Sequence, residues 1–227
     1  ELVILCVGLT ENFESEGMDR FTLDIPANQN KLIEEICKVN KKVVIVLSNG
    51  SPILMPWKDN VQAIITGYLG GEAGAEAMVN CLTGKVNPSG KLAETYPLSL
   101  EDTPCYNYYP GTEVSVEYKE SIYVGYRYYD KISKNVLFPF GYGLSYTTFE
   151  YSNLNVEEDE ENIIVGFKIK NTGKVAGKEI AQVYIGQENP KIFKALYNLE
   201  FSDDSSESLL LQKEKKFLWK FIENIVP

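Results

Sequence analysis

Leu2-Val3-Ile4-Leu5-Cys6-Val7 is an unbroken apolar run with no polar alternation. Such a run reads as a strand buried on both faces, as in a parallel sheet. Lys41-Lys42 precede a second run of the same kind, Val43-Val44-Ile45-Val46-Leu47, rich in β-branched residues. A third strand-like run covers residues 61–68. Between the first two, Pro26 suits a first helical turn, and Leu32, Ile33, Ile36 and Cys37 recur at helical spacing. Beyond the third, Ala75, Met78, Val79 and Leu82 mark one helix face that Gly84 ends. Strands alternating with helices predict an α/β domain over residues 1–148, a mostly parallel sheet sandwiched by helices. Its buried strands are expected at 3–7, 43–47 and 63–67.

Residues 87–146 change character. Prolines, glycines and eleven tyrosines fill the segment, which reads as a long ordered loop whose aromatics pack against something. From Phe149 a third pattern begins. Phe149, Tyr151, Leu154 and Val156, then Ile163, Val165, Phe167 and Ile169, give half-buried strands. Glu157-Glu158-Asp159-Glu160-Glu161 reads as a solvated hairpin tip, and Asn171-Thr172-Gly173 as a turn. Residues 149–227 are expected to form a small antiparallel β-sandwich. Leu211, Leu218, Ile222 and Ile225 suit an amphipathic helix more than strands.

The net charge of −10 repels phosphate backbones and anionic membranes, so neither a nucleic acid nor a membrane is an expected partner. No apolar run approaches the roughly 20 residues of a membrane span. The chain opens inside a core strand without an initiator Met, which reads as part of a longer protein. Cys6, Cys37 and Cys81 sit in apolar patterns and read as small buried hydrophobes, which favours a reduced, cytoplasmic setting. The sequence contains no histidine, which removes Ser-His-Asp and Cys-His catalysis and makes a zinc site improbable. No cofactor is called for. Any chemistry must use carboxylates, Lys, Tyr or Cys.

The segment richest in such groups is Glu14-Ser15-Glu16-Gly17-Met18-Asp19-Arg20, in the loop after the first strand. Ligand sites in open α/β sheets gather beyond the carboxyl ends of strands. Three carboxylates beside a guanidinium can hold one carboxyl protonated and another ionised. A merely solvated acidic loop with an Asp19–Arg20 ion pair has the same composition. Gly70-Gly71-Glu72-Ala73-Gly74 fits neither dinucleotide-binding nor P-loop spacing and reads as tight strand–helix packing.

Glu16-Gly17-Met18-Asp19-Arg20 resembles the E-G-x-D-R segment of glycoside hydrolase family 3. Asn49-Gly50-Ser51-Pro52 resembles its N-G-S-P turn, and residues 67–74 its glycine-rich loop. Gly84-Lys85-Val86-Asn87-Pro88-Ser89-Gly90-Lys91-Leu92, residues 122–130 and residues 138–149 resemble three further signatures, all in family order. The resemblance implies the C-terminal part of a retaining β-glucosidase-like exo-glycosidase. It also implies an α/β sandwich domain followed by a fibronectin III-like module, divergent or truncated after about residue 192. A barrel domain outside this chain would carry the aspartate nucleophile. By position in the motif Glu16 is then the general acid/base, with Glu14 the competing candidate on chemistry alone. Asp19 and Arg20 are supporting residues, Arg20 with a possible substrate contact. The implied partner is a carbohydrate, a β-glucoside first, with β-xyloside and α-L-arabinofuranoside open. A non-catalytic carbohydrate-binding or accessory module is the alternative.

Overall fold

The computed structural model describes residues 1–158, 162–187, 195, 198–203, 209–212 and 217–220. The chain divides into two compact units, neither continuous in sequence. Unit 1 comprises Glu1–Lys85, Thr95–Lys119 and Asn135–Phe138. Unit 2 comprises Val86–Glu94, Glu120–Lys134 and the chain from Pro139 onward.

Unit 1 is built on a parallel sheet of β1 (Val3–Gly8), β2 (Val43–Ser48) and β3 (Ala63–Thr66), in that spatial order. Helix α1 (Ala27–Val39) connects β1 to β2, and α2 (Gly74–Leu82) follows β3. Val43, Ile45 and Leu47 put one face of β2 in the core with Ile33 and Cys37 of α1, as strand alternation and helical spacing require. Burying each such aliphatic side chain stabilises by about 1.5–3 kcal/mol. Two polar contacts fix α1: Gln29 Oε1 accepts from the Gly8 amide at 2.8 Å, and Asn30 Oδ1 accepts from Trp57 Nε1 at 2.8 Å. Gly67 lies so close to α2 that an added Cβ would come within 3.2 Å of Met78 Sδ.

The apolar run of β1 does not mean burial on both faces. Ile4 and Cys6 are exposed. β1 is the sheet's edge, and alternate side chains leave the core face. Of the cysteines, only Cys37 is fully buried.

Among its described residues unit 2 contains six antiparallel strands: β4 (Phe149–Glu158), β5 (Asn162–Asn171), β6 (Ala181–Gln187), β7 (Asn198–Asp203), β8 (Leu209–Gln212) and β9 (Phe217–Lys220). They form two three-stranded sheets, ordered β4-β5-β8 and β7-β6-β9. Ile163 and Val165 from the first sheet and Val183 and Ile185 from the second make one core, flanked by Val156 and Phe167. The acidic run enters at the end of β4, where Glu158 pairs with Ile163; Asp159, Glu160 and Glu161 lie outside the described residues.

Two expectations are corrected. The C-terminal stretch expected as a helix pairs as strands where it is described: β8 on β5 from Asn162 to Val165, and β9 on β6 from Tyr184 to Gln187. Long-range pairing overrides the local spacing there. The remainder of that stretch lies outside the described residues. The tyrosine-rich segment is also not all loop. It holds α3 (Tyr126–Ile132), whose Tyr126 ring stacks on Phe140 and meets Tyr184 edge-on, with centroids 5.1 Å and 5.7 Å away.

Parts of two signatures, residues 86–92 and 139–149, converge inside unit 2. Leu92 N–H donates to Tyr142 O, and Gly141 N–H donates to Leu92 O, both at 2.8 Å. Asn87 Oδ1 accepts from the Tyr146 amide and Ser145 Oγ, while its Nδ2 donates to Ala176 O. Lys91 Nζ donates to Gly143 O at 2.8 Å and pairs with Glu179 at 3.1 Å, both side chains nearly closed to water at 7% and 5% exposure.

Candidate active site

Parallel pairing in register brings three loops to one edge. Gly8 lies opposite Ser48 and Leu47 opposite Thr66, so the loops after β1, β2 and β3 leave the sheet side by side. The Glu14–Arg20 loop and the Asn49-Gly50-Ser51-Pro52 turn are thereby neighbours, at the carboxyl end where sites in such sheets form.

The turn is built from within. Asn49, fully buried, donates through Nδ2 to Ser51 O at 2.8 Å and to the Tyr96 hydroxyl at 3.1 Å, and its Oδ1 accepts from Thr66 Oγ1 at 3.2 Å. A buried amide that satisfies this many partners fixes the turn's shape. It presents the Gly50 amide and the Ser51 hydroxyl outward.

Those two groups hold the loop. The Glu14 carboxylate accepts from the Gly50 amide at 2.8 Å and from Ser51 Oγ at 3.0 Å. Arg20 Nη1 donates to the same Ser51 Oγ at 2.6 Å. Space at Gly50 is tight: a Cβ there would come within 2.7 Å of Glu14 Oε1. Ser51 is thus the junction of both shoulders of the loop.

Asp19 accepts a hydrogen bond from the Tyr109 hydroxyl, a contact across 90 residues of sequence. That hydrogen bond, with the carboxylate's charge behind it, raises the Tyr109 phenol above its ordinary pKa. Among the described residues no Asp19–Arg20 ion pair forms; Asp19 accepts from Tyr109, and Ser51 is one of the contacts of Arg20.

Glu16 differs from its neighbours. It is exposed and makes no hydrogen bond or ion pair among the described residues. It precedes Gly17, whose φ of 77° is a left-handed turn that an L side chain adopts only with strain. The two candidates of the sequence therefore stand in different settings. Both oxygens of Glu14 are engaged inside the protein, and the carboxyl of Glu16 faces outward. Met18, Phe21 and Leu69 add exposed apolar surface to the same loops, at 63%, 79% and 73%.

Ser51 and Tyr109 are the participants that sequence reasoning missed. Ser51 had a signal, its place in the N-G-S-P turn. Tyr109 was one tyrosine among many. Among the described residues no group of three or more His, Cys, Asp or Glu is placed to hold a metal ion, and no helix is long and apolar enough to cross a membrane.

Comparison with known proteins gives this fold and loop a family. Residues 1–146 match the model of the glycosyl hydrolase family 3 C-terminal domain. Thermostable β-glucosidase B of Acetivibrio thermocellus is 50% identical over 189 residues, covering 82% of this chain and 25% of that protein. An exo-α-(1→6)-L-arabinopyranosidase of Bifidobacterium breve is 42% identical over 202 residues, covering 88% of this chain and 27% of that protein. The crystal structure of a Kluyveromyces marxianus β-glucosidase in complex with glucose superposes with a TM-score of 0.85 at 36% identity, over 96% of this chain and 26% of that one. The chain belongs to glycosyl hydrolase family 3 and carries its C-terminal domain. It spans 25% and 30% of the length of the first two β-glucosidases it matches.

Proposed function

We propose that this chain is the C-terminal portion of a retaining exo-glycosidase acting on terminal β-glycosidic bonds, with Glu16 as its general acid/base. The observation that carries the reading is the contrast at the loop: Glu14, Asp19 and Arg20 are tied to the protein, and Glu16 alone presents an unengaged carboxyl. A residue that must reach a sugar held elsewhere has to stand in this way.

In this reading the glycone sits on a barrel domain that also supplies an aspartate nucleophile, roughly 5–5.5 Å from Glu16 as retention requires. Glu16 first protonates the departing glycosidic oxygen as the nucleophile bonds to the anomeric carbon. The resulting carboxylate then takes a proton from the water that releases the sugar. The exposed Met18, Phe21 and Leu69 suit an edge covered by another protein surface. The substrate is a β-glucoside by analogy with the relatives' names. Residues 149–227 are read as the fibronectin III-like module. Without the nucleophile, the isolated chain should not hydrolyse aryl β-glucosides.

The test is Glu16→Ala in the intact protein against aryl β-glucosides of graded leaving-group pKa. Poor leaving groups should lose about 10²–10⁴-fold in glycosylation rate, and 2,4-dinitrophenolate far less. Equal slowing across the series would remove Glu16 from the role and make Glu14 the next residue to replace.

A further inference from the structure

We propose that Tyr109 is a positioning residue for Glu16, holding the acid/base loop through Asp19; the proposal rests on the assignment of Glu16 above.

The geometry of attachment carries it. Glu14 and Arg20, on either side of Glu16, both end on the Ser51 hydroxyl. Both tethers come from one turn and hold the flanks of the loop. The Gly50 amide adds a second bond to Glu14, but from the same turn. Glu16 itself makes no hydrogen bond or ion pair among the described residues. Gly17, in a left-handed turn with open space where a Cβ would stand, makes the apex easier to move.

Tyr109 supplies a tether from a different segment. Its hydroxyl reaches Asp19, three residues past Glu16, and donates to a carboxylate, the stronger kind of hydrogen bond. With Ser51 on one side and Tyr109 on the other, residues 15–18 are spanned between supports on two separate pieces of chain. A general acid gains only when its proton lies within hydrogen-bond reach of the departing oxygen. Misplacement of the order of 1 Å is enough to lose rate. In this role Tyr109 touches neither substrate nor reacting atoms. It acts through the backbone position of Glu16.

Tyr109→Phe removes only the hydroxyl. In the intact enzyme it should lower kcat/KM for poor leaving groups roughly 3- to 10-fold, the loss of one hydrogen bond to a charged group at an exposed site. Substrates with 2,4-dinitrophenolate, which need little protonation, should be nearly unaffected, and the thermal midpoint should not move. Asp19→Asn, which keeps an acceptor, should retain most of the activity. Asp19→Ala should match Tyr109→Phe, and the double variant Tyr109→Phe/Asp19→Ala should be no worse than either single one. The proposal is overturned if Tyr109→Phe leaves poor leaving groups untouched, if it slows good and poor ones alike, or if the two single losses add. Glu16→Ala in the same series separates the causes. Where Glu16→Ala shows leaving-group dependence and Tyr109→Phe does not, positioning alone fails. Where Glu16→Ala shows none, the acid/base assignment fails and takes the positioning role with it.

Discussion

Replacing Glu179 by Ala should destabilise the protein severely, although Glu179 lies outside the loop chemistry. Glu179 pairs with Lys91 at 3.1 Å, and the two side chains are 5% and 7% exposed. At that distance a unit-charge pair interacts by about 5 kcal/mol for an effective dielectric near 20, part of which offsets the desolvation of both ions. Removing one partner forfeits the attraction and keeps the desolvation. Lys91 would be left with the Gly143 carbonyl, and the Tyr151 hydroxyl would lose its carboxylate acceptor. A buried pair broken in this way costs about 3–5 kcal/mol. For a chain of this size that lowers the thermal midpoint by roughly 6–20 °C. The assay is thermal or urea unfolding of the intact protein, with Lys91→Met/Glu179→Leu as the control. The double variant should recover most of the loss, because an apolar pair of similar volume replaces the ions without an orphaned charge. A loss below about 1 kcal/mol in Glu179→Ala, the range of exposed ion pairs, would refute the view that the G-x-x-N-P-S-G-K-L signature is a buried clasp.

Burial raises the phenols of Tyr151 and Tyr184 above their usual value of 10.0, helped by Glu179 at Tyr151 and by Tyr126 and Asp130 at Tyr184. A raised folded-state pKa contributes nothing against stability below pH 10, and above it the unfolded chain ionises while the folded one does not. Stability should therefore fall as pH rises beyond about 10, and Tyr151→Phe with Tyr184→Phe should flatten the fall; an unchanged slope would contradict the burial of both phenols. At Gly8 an added Cβ would lie 1.9 Å from the Ser48 carbonyl oxygen, in the backbone of the neighbouring strand. Gly8→Ala should accordingly cost more than about 3 kcal/mol by forcing β1 from β2, and a melt within a degree or two of wild type would contradict the pairing of Gly8 with Ser48.

The parallel sheet was legible because β-branched runs without alternation and helices between them point to one architecture. Its edge was not, since no local pattern says that Ile4 and Cys6 of β1 face outward. Helix α3 hid for a different reason. Tyr126, Tyr128 and Tyr129 lack a clear apolar stripe, and Tyr126 owes its place to Phe140 and Tyr184, distant in sequence. β8 and β9 were likewise set by partners in β5 and β6 rather than by their own spacing. At the loop, the motif pointed to Glu16, and composition alone left Glu14 open. What composition could not show is the setting of Glu14, whose contacts to Gly50 and Ser51 lie 36 and 37 residues away. The Tyr109–Asp19 bond, across 90 residues, had no local signature.

Azide gives the sharpest test of the proposal that Glu16 is the acid/base of a retaining glycosidase. The intact Glu16→Ala protein would be given 2,4-dinitrophenyl β-glucoside with sodium azide, and the sugar product identified by proton NMR. The leaving group needs little acid help, so the covalent intermediate should form and then wait for a water that nothing activates. Azide needs no base. With Glu16 in that role, turnover should rise and the product should be a β-configured glucosyl azide, the anomeric configuration retained through two displacements. An α-configured azide, or no azide product and no acceleration, would contradict it.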